Sequence, residues 1–184
     1  MERGDFSAFN SMIGGADNFD ALIRQWYDKG YFINQSETLA EIFTASCMLG
    51  HDGTAAYLLD QGVDPLAGTK TGLNGFHYAA SAGRLNVIKL LIDRKVPTEV
   101  ENMYGGTVLG QALWSAVNEH KSDHAAIIEA LIDVRGETEH GTLAWWEKQN
   151  VPSKETKDRV TEILRSASAN RPETSVIDDE NQNE

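Results

Sequence analysis

The stretch GFHYAASAGRLNVIKLLID, from Gly75 to Asp93, decides how this sequence folds. Two small residues, Ala79 and Ala80, precede Gly83, and an apolar run follows that ends in Leu90-Leu91-Ile92. A single helix explains this pattern poorly, because a glycine in a helix interior costs about 1 kcal/mol. Two short helices joined near Gly83 explain it better. Such a pair cannot bury a core alone, so it needs similar neighbours in the same chain.

The same pattern recurs along the chain. An upstream copy covers Ile42 to Pro65, and a downstream copy runs from Gly105 to Gly136. The apolar pairs of the three copies are 33 and then 40 residues apart, and they are Leu58-Leu59, Leu91-Ile92 and Leu131-Ile132. The longer interval indicates an insertion at about residues 117–123. A fainter copy, FDALIRQWYDKG, ends at Gly30.

The residues of each copy have the properties that stacking requires. Small residues at the positions of Ala79 and Ala80 let the first helix approach its neighbours closely. The second helix places Val87, Ile88 and Leu91 on one face. A glycine after each second helix is expected to form a left-handed C-cap. Stacked units would share one continuous core, in which each unit touches only its neighbours.

A period near 33 with two helices per unit resembles the ankyrin repeat. The middle unit, GLNGFHYAASAGRLNVIKLLI, matches the family pattern of a glycine, a Thr-Pro-Leu-His-like tetrad, two alanines, a glycine and an apolar helix. Asn74-Gly75-Phe76-His77 stands at the tetrad, so the first two positions depart from the pattern. The resemblance implies a structural role for His77, whose ring would hydrogen-bond to backbone near the turn between units.

We therefore predict an all-α fold, an ankyrin-repeat solenoid of stacked helix-turn-helix units with N- and C-terminal helical caps. Residues 1–36 would form a degenerate capping repeat rich in aromatic side chains, and residues 37–140 would form three ankyrin-like repeats. Residues 141–168 would form the C-terminal capping helices. Residues 169–184 have the composition of a disordered acidic tail.

The C-terminal segment contains the residues that would close the array. Trp145 and Trp146 are expected to seal the last repeat, and Ser153 is expected to be the N-cap of the final helix. The apolar side of that helix would consist of Val160, Ile163 and Leu164.

The chain is acidic, with a formal net charge of −12 over 184 residues. Residues 171–184 contribute −4 of that charge, which leaves −8 for the rest. An acidic surface repels nucleic acid and anionic membrane and speeds encounter with basic partners. The alternative is that acidity only keeps the protein soluble. We therefore expect no nucleic acid and no membrane among its partners.

Cysteine content and hydropathy indicate the compartment. Cys47 is the single cysteine, so no intrachain disulfide can form, which suits a reducing environment. The N-terminus has no apolar signal region, and no apolar run approaches the roughly 18 residues of a membrane span. The expected location is cytoplasmic.

The sequence contains no recognisable enzyme motif. GxGxxG, GxxxxGK[ST] and GxSxG are absent, as are paired cysteines for a metal. We predict a protein that is not an enzyme and has no cofactor and no metal. Cys47 is expected to be inert packing, and His51 to have a local structural role.

The segment NEHKSDH is a candidate metal site, because His120 and His124 stand four residues apart with Glu119 and Asp123 beside them. Ser122-Asp123 resembles a helix start, which would break the shared face. The alternative is a solvated insertion loop.

The resemblance implies binding of other macromolecules, chiefly proteins, through hairpin tips and the exposed side of each first helix. The tips would be residues 68–71, 101–104 and 137–140. The exposed first-helix positions would be Met48, Leu49, Ser81, Ala82, Trp114 and Ser115. The predicted partner-binding residues are Met48, Lys70, Leu73, Ser81, Glu101, Met103, Tyr104, Trp114, Glu119 and Asp123.

Met103, Tyr104 and Trp114 would be the anchors, because tyrosine and tryptophan are frequent binding hot spots. For Trp114 the alternative is a core position under the insertion. The insertion itself would either lengthen the binding surface or be tolerated as a loop. The acidic residues Glu99, Glu101, Glu119 and Asp123 would complement the charge of a basic partner.

The predicted function is a non-catalytic protein–protein interaction module, with a monomer favoured. Short acidic proteins of this kind look like bacterial antagonists, so the sharper hypothesis is an inhibitor or immunity protein that neutralises a basic enzyme or toxin. An alternative is a passive scaffold or self-associating assembly subunit. A third is a metal-binding or enzymatic protein that uses His120 and His124.

Overall fold

In a computed structural model of the chain, residues 16–135 and 138–169 are described, and every regular element within these ranges is an α-helix. The helices are α1 (Ala16–Asp28), α2 (Ser36–Leu49), α3 (Asp52–Asp60), α4 (Gly75–Ser81), α5 (Leu85–Asp93), α6 (Val108–Asn118), α7 (His124–Arg135), α8 (Thr142–Glu147) and α9 (Lys154–Ala169). The predicted all-α repeat fold is confirmed.

The helices pack in two layers. In the first layer α4 lies between α2 and α6, and in the second layer α1, α3, α5, α7 and α9 pack in that order. Three helix pairs join the layers: α2 with α3 (unit one), α4 with α5 (unit two), and α6 with α7 (unit three). The chain therefore forms a solenoid, whereas the exact boundaries of the caps and repeats stay a prediction.

The core lies between the two layers and consists of the residues that the repeat pattern predicts. Ala79 and Ala80 of α4 are fully buried, as is Cys47 at the matching place in α2. Val87 and Ile88 of α5 are also fully buried. Small side chains in the first layer allow the helices to approach closely, and branched side chains in the second layer fill the space between them.

The expectation of a glycine after each second helix is wrong for α5. Gly62, after α3, has a φ of +84°, and Lys95 occupies the corresponding place 33 residues later with a φ of +57°. A side chain at Gly62 would meet no atom within 4 Å, so only the left-handed backbone favours glycine there. Gly136, after α7, lies outside the described residues.

The N-terminal part of the chain is aromatic, but its aromatic side chains do not all enter the core. Phe19 of α1 is buried and stacks on His51 with 4.5 Å between ring centroids. Tyr31, which follows α1, is instead exposed. Phe6 and Phe9, also expected in this cap, lie outside the described residues.

At the other end of the array, α9 packs on α7 and on α8. Trp146 is fully buried, and its Nε1–H donates to Thr161 Oγ1 at 3.1 Å. Trp145 is exposed, so the expectation that both tryptophans seal the array is wrong for Trp145: neighbouring positions on a helix point about 100° apart. Ser153 is confirmed as N-cap, because its Oγ accepts from the backbone N–H of Thr156 at 3.2 Å.

The expected apolar side of α9 is present. Val160 and Leu164 are fully buried, and Ile163 packs half-buried against the same core. The expected acidic tail falls almost wholly outside the described residues. None of the helices within the described ranges is long and apolar enough to cross a membrane.

Candidate functional site

The turn that precedes α6 is shaped by its backbone and by one buried side chain. Asn102 Oδ1 accepts from the backbone N–H groups of Tyr104 at 2.9 Å and Gly106 at 3.1 Å. The Asn102 N–H also donates to the Gly106 carbonyl at 3.0 Å. The side chains of Met103 and Tyr104 take no part in these bonds and are 64% and 76% exposed. The expected exposure of Tyr104 is confirmed.

A second turn lies directly beside the first. The Thr69 N–H donates to the Leu73 carbonyl at 2.9 Å, which closes this hairpin. The Met103 N–H then donates to the Thr71 carbonyl at 2.9 Å, so adjacent tips are joined through their backbones. Five predicted binding residues belong to these two joined turns, and we call them the tip cluster: Lys70, Leu73, Glu101, Met103 and Tyr104. All are exposed except Leu73, which is half-buried.

Three more predicted residues occupy matching places in the first layer. Met48, Ser81 and Trp114 recur every 33 residues near the C-terminal ends of α2, α4 and α6, and we call them the helix row. Trp114 is 44% exposed, which decides against a core position, while the other two are half-buried. Ser81 and Trp114 lie six residues beyond the first residues of their helices, Gly75 and Val108, which is about 9 Å along the helix axis.

Ser115 was expected to be exposed, and this is wrong because its side chain is fully buried. The Ser115 hydroxyl donates to Ser81 Oγ at 2.9 Å and accepts from Gln111 Nε2 at 3.3 Å. The reason is the length of α6, which has 11 residues where α4 has 7, so Ser115 is still helical and faces α4. The hydroxyl of Ser81 is therefore already engaged within the array.

The last two predicted residues lie in the connection between α6 and α7, at the far end from the tips. Glu119 is half-buried and Asp123 is exposed. The connection sits closely against the turn after α4, because a Cβ built on Gly83 would be 2.7 Å from Lys121 Cβ. Only glycine fits at position 83, because the connection and the turn come this close together. Glu99, expected to face a partner, instead pairs with Arg135 at 2.8 Å.

The two histidines of the insertion bond to other parts of the protein. His120 Nε2 lies 2.8 Å from Thr156 Oγ1 on α9. His124 is fully buried, donates from Nε2 to the Ser81 carbonyl at 3.2 Å, and accepts at Nδ1 from the Lys121 N–H at 3.1 Å. Burial lowers the pKa of His124. The alternative of a solvated loop is therefore wrong for this residue.

The remaining candidates for chemistry have structural roles. His77 is fully buried, and its Nε2 donates to the Gly106 carbonyl at 3.2 Å, as the resemblance implied. Burial lowers its pKa. Burial also raises the pKa of the Cys47 thiol to about 12, so this side chain is inert packing at neutral pH. The described residues contain no group of three or more His, Cys, Asp or Glu that could hold a metal.

A family model of ankyrin repeats in three copies matches residues 42–139, more than half of the chain. This chain belongs to the ankyrin-repeat family. No curated protein matches the sequence. Ankyrin repeats are protein–protein interaction modules and are generally non-catalytic. Both statements agree with a site made of exposed turns and helix ends, and with the structural bonds of His77, His120 and His124.

This ankyrin-repeat protein also exposes large apolar side chains that we did not predict from the sequence. Tyr31 and Ile33 are 63% and 71% exposed in the loop between α1 and α2, and Leu66 is exposed in the loop between α3 and α4. The first loop connects α1 to unit one and the second connects unit one to unit two, as the loop of Met103 connects unit two to unit three. These residues occupy loop positions between the helices of the repeat, and this was the sequence signal that could have identified them as exposed.

Proposed function

We propose that this ankyrin-repeat protein binds a partner protein through the tip cluster, with Met103 and Tyr104 as the main anchors. The observation that carries the proposal is that two large side chains at the apex of one turn contribute nothing to its hydrogen bonds and project into solvent. Adjacent exposed apolar groups are unusual on a purely solvated surface. Trp114 of the helix row, on α6 in the first layer, is a third anchor.

The charge of the chain supports a basic partner. Each arginine within the described ranges donates to a carboxylate or a backbone carbonyl of the same chain, and these are Arg24, Arg84, Arg94, Arg135, Arg159 and Arg165. Within those ranges, the exposed carboxylates of Glu37, Glu41 and Glu101 have no ion pair. The surface therefore keeps an excess of negative charge, which favours encounter with a basic protein at low salt.

The proposal is tested by affinity capture from native lysate with the wild type and two double variants. Tyr104→Ala with Trp114→Ala removes two anchors. Trp26→Ala with Val134→Ala is the matched control, because these side chains are also large and exposed but belong to the second layer. We expect the wild type and the control to retain the same protein and the anchor variant to lose it. Equal retention by all three would rule out the tip cluster and the helix row.

Within this class, we propose an inhibitor or immunity protein that neutralises a basic enzyme or toxin. The support is the acidity of the sequence and an exposed aromatic anchor that could enter a cleft. The test is a titration of the captured enzyme, in which activity should fall to zero near one equivalent of inhibitor. A partner that remains fully active in the complex would leave the protein as an adaptor.

A scaffold or assembly role is the second candidate, and Tyr31 with Ile33 is the observation that favours it. These exposed side chains lie at the N-terminal end of the array, where a second copy could cover them. Sedimentation equilibrium distinguishes a self-associating scaffold from a partner-binding monomer. The apparent mass of a scaffold rises with concentration, and the double variant Tyr31→Ser with Ile33→Ser should abolish this rise.

We favour a monomer in the cytoplasm, where the buried thiol of Cys47 would stay reduced.

A further inference from the structure

The junction between unit two and unit three is held by two buried histidines, one at each end of α4. At the tips, His77 of unit two donates from Nε2 to the Gly106 carbonyl of unit three at 3.2 Å. At the other end, His124 of unit three donates from Nε2 to the Ser81 carbonyl of unit two at 3.2 Å. Both rings are fully buried. Imidazole N–H groups thus bridge the two units in both directions.

The junction between unit one and unit two has different side chains at the corresponding places. Thr44 stands 33 residues before His77. Arg84 stands seven residues before Leu91, as His124 stands seven before Leu131. Arg84 Nε donates to the Met48 carbonyl at 2.9 Å, which matches the Ser81 carbonyl one repeat later. Arginine stays charged at every working pH and threonine does not titrate, so neither of these two places has an acid-sensitive donor.

The His124 ring can make its two bonds only when it is neutral. Nδ1 accepts from the Lys121 N–H and Nε2 donates to the Ser81 carbonyl, so the ring carries one proton, on Nε2. A second proton would occupy Nδ1 and break the bond to Lys121. Protonation in acid therefore replaces an attraction with a repulsion at the start of α7.

The surroundings of His124 do not compensate a positive charge. The titratable groups that act on the ring are His120, whose ring centroid is 6.3 Å away, and Lys121, and both lower the pKa of His124 further. From unit two, α4 presents the backbone carbonyls of Ala80 and Ser81. From the cap, α9 presents the neutral Thr156 hydroxyl to His120.

The His77 ring has similar surroundings. Among residues 16–135 and 138–169 no charged group acts on it, and the carbonyls of Gly106 and Val100 oppose only part of the effect of burial, which lowers its pKa. The Asn74 backbone N–H donates to His77 Nδ1 at 3.5 Å, and Asn74 Oδ1, which lies 2.9 Å from Nδ1, already accepts two backbone N–H groups. Burial also lowers the pKa of His51 in unit one, and Arg84 adds to this effect, but there the nearby carboxylates of Asp20 and Asp52 oppose it.

We propose that the junction between unit two and unit three is an acid-sensitive hinge, at which α6–α9 separate from α4–α5 below about pH 6 while units one and two stay folded. Histidine has an ordinary pKa of about 6.5, which an opened junction restores. The open state therefore binds protons first as the pH falls, and the closed state loses stability below that value. Because each unit touches only its neighbours, one weak junction can open locally.

Hydrogen exchange with mass spectrometry on the full chain tests the hinge. Protection factors are compared at pH 7.5 and pH 5.5 for peptides from residues 108–135 and 142–169 and from residues 36–60. We expect protection to fall at least tenfold in the first two ranges and less than twofold in the third. Equal losses in all ranges, or no loss in any, would overturn the proposal.

His124→Gln supplies the decisive variant, because glutamine has an amide donor for the Ser81 carbonyl and cannot be protonated. We expect it to retain at least five times more protection than the wild type in residues 108–169 at pH 5.5. The matched control is His140→Gln, an exposed histidine before α8, which should behave as the wild type does. If His124→Gln opens as readily as the wild type, the hinge is not controlled by His124 and the proposal fails.

A measurement on the wild type covers the case in which His124→Gln does not fold. NMR of the histidine rings reports the tautomer and the titration of each residue. We expect His77 and His124 to be neutral, with the proton on Nε2, until the junction opens. A His124 ring that titrates near pH 6.5 while residues 108–169 stay protected would overturn the proposal.

Discussion

The two junctions of this array use the same backbone carbonyls with different donors. Met48 and Ser81 present equivalent carbonyls at the ends of successive first helices, and Arg84 and His124 donate to them. The arginine is exposed and the histidine is fully buried. The comparison teaches that the repeat determines where a donor is needed, whereas the side chain chosen there determines the conditions under which the junction is stable.

The junction between unit two and unit three also has contacts that the other junction lacks. The longer α6 adds the bond between Ser115 and Ser81, and the connection after it bonds through His120 to Thr156 of the cap. An insertion that could have been a simple loop thus ties unit two, unit three and α9 together. Deletion of the insertion would therefore weaken the contacts of unit three with both unit two and α9.

The largest effect is expected from His124→Ala. This change leaves the Ser81 carbonyl and the Lys121 N–H without partners and creates a cavity, so we expect the free energy of unfolding to fall by about 3 kcal/mol. Urea unfolding followed by circular dichroism measures it. A loss below about 1 kcal/mol would mean that water replaces the ring easily and that the comparison of donors is mistaken.

The second-largest effect on the free energy of unfolding is expected from lowering the pH. The folded-state pKa values of His77 and His124 are lowered by burial, so their contribution to stability is complete above about pH 6.5 and declines as the pH falls below it. We expect a lower free energy of unfolding at pH 5.5 than at pH 7.5, at constant ionic strength. His124→Gln should show less of this decline, and an unchanged slope in that variant would contradict the assignment.

Arg84→Ala should have a smaller effect than His124→Ala. The side chain is exposed, so its bond to the Met48 carbonyl can be replaced by water, and we expect a loss of about 1 kcal/mol. The dependence of stability on pH should remain that of the wild type. A variant with an altered pH dependence would show that Arg84 influences His51 more than the junction.

Met103→Ser with Tyr104→Ser should have the smallest effect on stability. Neither side chain takes part in the bonds of its turn, so we expect a change within about 0.5 kcal/mol. Binding of the partner should nevertheless be lost, as isothermal titration with the captured protein would show. If the variant unfolds at a lower urea concentration than the wild type, these side chains stabilise the fold, which would contradict their assignment as anchors.

The repeat, the helix pairs and the C-terminal cap could be predicted from the sequence because each depends on local periodicity. Ala79, Ala80 and Leu91 recur at helical spacing in matching copies, and the copies show how the helices stack. The N-cap at Ser153 was also predictable, because its role requires only that a helix start after it.

The positions that could not be predicted depend on which residue faces which neighbour. Ser115 is buried because α6 is a turn longer than α4, and a sequence alignment of the units does not reveal that length. His124 is buried because the connection folds back on Gly83, a contact between distant parts of the chain. Trp145 and Trp146 are adjacent in sequence, and only the packing of α9 decides which is covered.

The turn around Asn102 has a consequence for how this protein can change. One buried asparagine and the backbone hold the turn, so natural variation or a designed library can replace Met103 and Tyr104 almost freely without endangering the fold. Selection for a new target can then act on recognition alone. Under the proposed binding function, a lineage that inherits this turn could change its partner while its architecture stays the same.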